Sequence, residues 1–296
     1  MAQIVLGLGS SHGPTIRTKP EGWARLGEKD MEDPRFDFSA ELRRAGPEMA
    51  AEIAIERQRE RYDACQRGVA TLTRVLADAR PDVIVMLSNL HGDIPDNRQQ
   101  IFGVYVGGQQ AEAHALRTEP ALADHLFRGL NDEGFDVHRC ADLGTTARLG
   151  DEVTFVHEVY ATSGSTPIVP FMISRYLPNQ ASPRRVHALG LALRRVIESW
   201  DGDKRVAVMA SGGLSHQILD EDLDRSVVKA LLEKDVETLC SIPRDRLNRG
   251  PGTPEILNWI AVSACMGSTP MTLVDYVPCY RSLAGTGHGV TFGYWG

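Results

Sequence analysis

"IVLGLGSSHGPT", residues 4–15, is an apolar run that stops at two serines and a histidine. The run over 4–9 is β-branched and bounded by small residues, which predicts a short buried strand. Gly13 and Pro14 favour a tight turn just after it, so His12 falls at the strand's carboxyl end. Similar runs recur along the chain: "VIVMLS" at 83–88, "FGVYVG" at 102–107, "TPIVPFMI" at 166–173 and "VAVMASGG" at 206–213. They are apolar throughout rather than alternating. That pattern predicts strands buried on both faces, in a sheet covered by helices.

The intervening segments carry helix signals. Residues 48–79 are rich in Ala, Glu, Arg and Leu and end before Pro81. Ser182 and Pro183 form an N-cap and first helical position, followed by Val186, Leu189, Leu193, Val196 and Ile197 on one face. Thr253 and Pro254 repeat the signature before "EILNWIAVSACM". Residues 15–47 are polar with few such signals and are expected to be a loop or lid. With no internal repeat and no clear linker, the expectation is an α/β chain forming a single domain over residues 1–296. Its central sheet is expected to be mostly parallel or mixed, and covered by helices.

Composition excludes some classes of function. The chain of 296 residues has a formal net charge of −7, which argues against a nucleic-acid partner, since phosphate binding needs clustered Lys and Arg. No apolar stretch approaches the roughly 20 residues of a membrane span. The chain starts directly in a strand without a basic leader, and its five cysteines include no CxxC pair. These features lead us to expect reduced thiols and a cytoplasmic protein.

Three of the nine histidines stand just beyond predicted strands: His12, His91 in "SNLHGD" and His216 in "GGLSHQ". A histidine in a loop is usually only a hydrogen-bonding residue. Three at strand ends, however, can converge where open α/β sheets bind ligands. His114, His125 and His187 fall in predicted helices and His138 in a polar connection, where surface roles are expected. Glu255 supplies a carboxylate, although a glutamate in a first helical turn is also favoured by the helix dipole. Two histidines and a carboxylate suit non-haem Fe(II), and the same atoms could hold zinc.

Over nearly its whole length the sequence resembles the class III (type II) extradiol ring-cleavage dioxygenases, the superfamily of the protocatechuate 4,5-dioxygenase catalytic subunit. It is most similar to the branch containing 3-O-methylgallate dioxygenase. The resemblance rests on "GLGSSHGPTI", "KPEGWARLGEKD", "LSNLHGD", "VPFMISRYLPNQASPRRVHALGLALRRVIES", "ASGGLSHQ", "GTPEILNWI" and "YRSLAGTGHGVTFGYW". It implies an α/β fold, Fe(II) bound by His12, His91 and Glu255, and His216 as acid–base catalyst. The substrate would be a small aromatic diol, opened beside the diol with O2, and the protein a homo-oligomer. Where the branch has a second active-site histidine before "TFVHE", this sequence has Asp151, which takes that catalytic position here and can accept hydrogen bonds. His157 is read as a core residue of its helix. His288, among Gly285, Gly287 and Gly289, marks either a close backbone approach or an exposed loop. Arg17, Arg175, Arg184 and Arg185 are candidates to receive a ring carboxylate. The competing readings are a zinc-dependent hydrolase on the same scaffold, a non-catalytic binding relative, and, more weakly, a nucleophilic Ser215.

Overall fold

The structure is a computed structural model that describes residues 1–89, 101–107, 116–140, 150–161, 166–175 and 177–296. Nine strands among these residues form one mixed sheet: β1 (Gln3–Ser10), β2 (Val83–Ser88), β3 (Phe102–Tyr105), β4 (Val137–Cys140), β5 (Ile168–Ile173), β6 (Arg205–Ser211), β7 (His216–Ile218), β8 (Met271–Tyr280) and β9 (Thr286–Trp295). The order is β4-β3-β5-β2-β6-β1-β9-β7, with β8 paired to β9. β5, β2, β6 and β1 run parallel to one another. β9 runs antiparallel to β1 and pairs antiparallel with β7 and β8.

The apolar runs are buried on both faces, as their composition predicts. Val83, Val85 and Leu87 of β2 join one core cluster with the helices Pro183–Glu198 and Ile256–Met266. Ile84 and Met86 face the other cluster, with Leu72 and Leu76 of the helix Ile55–Ala79. Each such side chain contributes roughly 1.5–3 kcal/mol on full burial. Helix Pro183–Glu198 is capped as its sequence indicates, Ser182 Oγ accepting from Arg185 N at 3.3 Å.

Four details differ from the sequence expectations. Residues 48–79 divide into Met49–Glu52 and Ile55–Ala79. His138 lies in β4 rather than in a connection. Thr253 opens a short 3-10 turn, Thr253–Glu255, and its hydroxyl accepts from His216 N at the start of β7 instead of capping its own helix. Residues 15–47, expected as loop or lid, contain the helices Trp23–Met31 and Phe38–Arg44. Trp23 is fully buried there, and Arg281 clamps Asp30 with Nε and Nη2 at 2.5 and 2.6 Å in a buried pair. Burial of one large aromatic and one ion pair supplies what helical periodicity did not reveal.

Candidate metal and catalytic site

Because β2, β6 and β1 are parallel neighbours, their carboxyl ends lie side by side, where open sheets bind ligands. The chain there is buried and polar: Ser10 ending β1 with Ser11 and His12 after it, Ser211 at the end of β6, and Ser88 ending β2 with Asn89 after it. Helix Ile256–Met266 braces these ends. Asn258 Nδ2 donates to Asn89 Oδ1 at 2.8 Å and to the Ser211 carbonyl at 2.9 Å, and Trp259 Nε1 donates to the Gly212 carbonyl at 2.9 Å.

His12 is held in one tautomer. The Ser211 hydroxyl donates to the Glu152 carbonyl at 2.8 Å, so its oxygen accepts from His12 Nδ1–H at 3.1 Å. In the neutral ring the lone pair is then on Nε2, which faces Glu255 Oε1 at 3.8 Å. Glu255 is fully buried, and its Oε2 accepts from Gly213 N at 2.7 Å. His216 Nδ1 lies 3.7 Å from the same Oε1. Both separations exceed a hydrogen bond. A lone pair facing a carboxylate in a buried site is repulsive unless a cation or proton lies between them. Divalent metals sit about 2.0–2.2 Å from imidazole nitrogen and carboxylate oxygen, so one shared cation would hold the donors about 3–4 Å apart. The donor set fits a metal ion.

The backbone around His216 is fixed on both sides. Its N–H donates to Thr253 Oγ1 at 3.2 Å. Gln217, the next residue, has φ 64°, a left-handed conformation that costs a non-glycine residue roughly 1–2 kcal/mol. Before it, Ser215 N and Oγ donate to Asp224 at 2.8 and 2.7 Å, and Tyr276 OH adds a third hydrogen bond at 2.8 Å. Burial pushes the Asp224 carboxyl up to about 7, with the hydrogen bonds from Ser215 and Tyr276 opposing the rise. Ser215 Oγ donates to Asp224 and accepts from Asp220 N, so both its donor and an acceptor are engaged in bracing the turn before His216.

A third imidazole, His288, completes the group. His216, Glu255 and His288 offer ligand atoms that all lie within 4.8 Å of one another. His288 is fully buried; desolvation, then the neighbouring His216, hold its imidazole well below the usual histidine range.

The structure thus brings His12, His216 and Glu255 together and adds His288. His91 lies outside the described residues, as does His114. Asp151 is exposed at the start of the short helix Asp151–Phe155; among the described residues no hydrogen bond or ion pair joins it to the three. That segment reaches the site through the carbonyl of the next residue, Glu152. His157 is half-buried in a π-helical turn, Val156–Tyr160, whose Tyr160 OH bonds Ser10 Oγ at 2.6 Å. Among the candidate arginines, Arg17 pairs with Glu158, Arg184 with Glu237, and Arg185 stacks on Phe102 and Phe135, while Arg175 is buried.

Residues 46–291 match the family described as the catalytic LigB subunit of aromatic ring-opening dioxygenase. The chain belongs to this family. Among curated proteins it is 44% identical over 115 residues to gallate dioxygenase of Pseudomonas putida, covering 39% of this chain and 34% of that protein. It is 27% identical over 168 residues to a 2,3-dihydroxyphenylpropionate/2,3-dihydroxicinnamic acid 1,2-dioxygenase of Mycobacterium sp., covering 53% of this chain and 51% of the relative. The matched stretches thus span about a third to a half of these relatives' length. Among solved structures, the uncharacterized protein JW3007 from Escherichia coli K12 superposes with a TM-score of 0.51 at 15% identity, covering 76% of this chain and 91% of that one. At that identity the likeness concerns the fold.

Ser211, Asp224 and His288 escape a motif-based reading. The signal for His288 was the glycine at every second position around it, which in a strand marks close backbone approach.

Proposed function

We propose that this chain is a non-haem Fe(II)-dependent extradiol dioxygenase that opens a catechol-type ring of gallate or protocatechuate character with O2. The observation that carries this reading is the buried trio of His12 Nε2, Glu255 Oε1 and His216 Nδ1 at the strand ends of a ring-opening family member. His12 and Glu255, together with His91, would hold the metal. Bound Fe(II) supplies a face on which catechol and O2 meet, turning a three-body encounter into a reaction within one complex.

The chain's own groups do the rest. Ser211 fixes His12 as a ligand by accepting its Nδ1 proton, and the Gly213 N–H fixes the carboxylate. His216 takes a substrate hydroxyl proton and later returns it, with Glu255 3.7 Å from its Nδ1 to stabilise the resulting imidazolium. Burial of all three side chains excludes bulk water from the proton transfer. The same reading has the chain act as one catalytic domain, in the cytoplasm and as a homo-oligomer.

The test is oxygen consumption by anaerobically Fe(II)-reconstituted protein against catechols, gallates and aminophenols. Iron-dependent uptake with an equal yield of ring-opened product is the expected result. Catalysis that needs zinc and no oxygen would replace it with a hydrolase, and absence of metal binding would replace it with a binding role.

A further inference from the structure

Among the described residues His288 is a fully buried imidazole whose two ring nitrogens have no hydrogen-bond partner. Buried polar atoms are ordinarily satisfied, so its presence needs a reason. β9 runs antiparallel to β1 and continues past its end, where Ser11 N donates to Thr291 O at 3.1 Å. Three residues before Thr291, His288 is carried beside the His12–Gly13 turn. There it is the register partner of His216 across β7 and β9.

The nitrogens are packed against backbone. A Cβ at Gly13 would collide with His288 Nδ1, and a Cβ at Gly213 would collide with Nε2. With its edges taken up by the two turns, the ring has its face to offer, and that face meets His216. The centroids are 4.1 Å apart and the planes differ by 12°. Thr253, Asp224 through Ser215, and the φ of Gln217 fix the His216 backbone. They leave its side-chain torsions to be set by what the ring touches.

We propose that His288 is a positioning residue that holds the His216 imidazole, by stacking between the Gly13 and Gly213 turns, in the orientation its proton transfer requires. The inference rests on the reading of His216 as the acid–base group. It goes beyond that reading by giving the third imidazole a part other than metal ligation.

The test compares the full-length protein with His288→Ala and His288→Phe. In metal-free protein with labelled histidine, the His216 ring protons of the wild type should resonate upfield because they lie over a second ring. In His288→Ala those signals should move to ordinary positions, and in His288→Phe they should stay shifted. In Fe(II)-loaded protein with gallate as probe, His288→Ala should lose about 10–100-fold in kcat, the scale of a misplaced reacting group. KM and iron content should stay within about threefold, since neither metal nor substrate binding is altered in this account. His288→Phe should recover at least about tenfold of the loss.

His216 signals that do not respond to His288→Ala overturn the proposal, whether or not the chain oxidises gallate. Loss of iron in both variants also overturns it, because His288 would then be a ligand. If His288→Ala does not fold, the wild-type ring shift decides: no upfield shift means no stack. Ring shifts that behave as stated, in a protein that consumes no oxygen, uphold the stacked positioning and remove the dioxygenase reading alone.

Discussion

In the parallel half of the sheet, β2, β6 and β1 stop side by side and the chain turns out of the sheet at the site; β9, in the antiparallel half, runs straight through that level. The first arrangement delivers His12 and Asn89 just past strand ends, each needing its own brace, and Ser211 from the last position of β6. The second delivers His288 from inside a hydrogen-bonded ladder and needs no turn. The site is the seam between the two. Glu255 and His216 stand on it, one hydrogen-bonded to the turn after β6 and the other opening β7. Turn-borne groups can be aimed individually, while a ladder-borne group is as rigid as its sheet. A ladder is therefore well suited to provide a fixed surface against which another side chain is set.

The largest expected effect lies at the junction itself. Glu255→Gln removes the charge that both His12 and His216 face, and metal retention should fall to background with turnover lost, measured by metal analysis after desalting. Next is His216→Ala, which should keep the metal and lower kcat by about 10²–10⁴-fold, the range for removing a general acid–base. Metal loss in this variant would make His216 a ligand and break the division of roles. Third, Ser211→Ala frees the His12 tautomer and should weaken metal affinity by about 10–100-fold, the usual cost of removing an outer hydrogen bond to a ligand, measured by competition with a chelator.

A smaller effect tests the antiparallel side through Asp224. Its folded carboxyl, pushed up to about 7 from 3.8, is easier to protonate than in the unfolded chain. The native state thus holds the proton where the unfolded state has lost it. Stability from this group is full below about pH 4 and declines as pH rises towards 7. Relative to Asp224→Asn, the wild type should lose up to about 1.4 kcal/mol per pH unit across that window and level off above it, read from urea unfolding. A flat difference would show that the buried carboxylate is not perturbed. The smallest effect is a control distant from the seam: Ser182→Ala should cost about 1 kcal/mol through the lost cap, with activity unchanged.

The two halves also differ in how much of them a reader of the sequence can see. "IVLGLG", "VIVMLS" and "VAVMAS" announce themselves because strands buried on both faces must be apolar without interruption. Their ends are legible as well, so His12 and His216 stand out as candidates from the sequence. β9, "TGHGVTFGYW", breaks its apolar pattern with glycines because neighbouring groups need the room: the Cys279 carbonyl lies where a Cβ of Gly287 would be, and Asp224 where a Cβ of Gly289 would be. Tertiary contact, and not local pattern, made that segment a strand. Asp151 is a candidate through the resemblance alone; its side chain is exposed, and the segment's tie to the site is the Glu152 carbonyl, which no residue type reveals.

The most direct measurement of the central claim is anomalous diffraction at the iron edge from crystals grown anaerobically with Fe(II). The account predicts one peak about 2.0–2.3 Å from His12 Nε2 and from a Glu255 carboxylate oxygen, with His216 and His288 still stacked beside it. A peak at another cluster, or none between His12 and Glu255 in protein that retains iron, would contradict it.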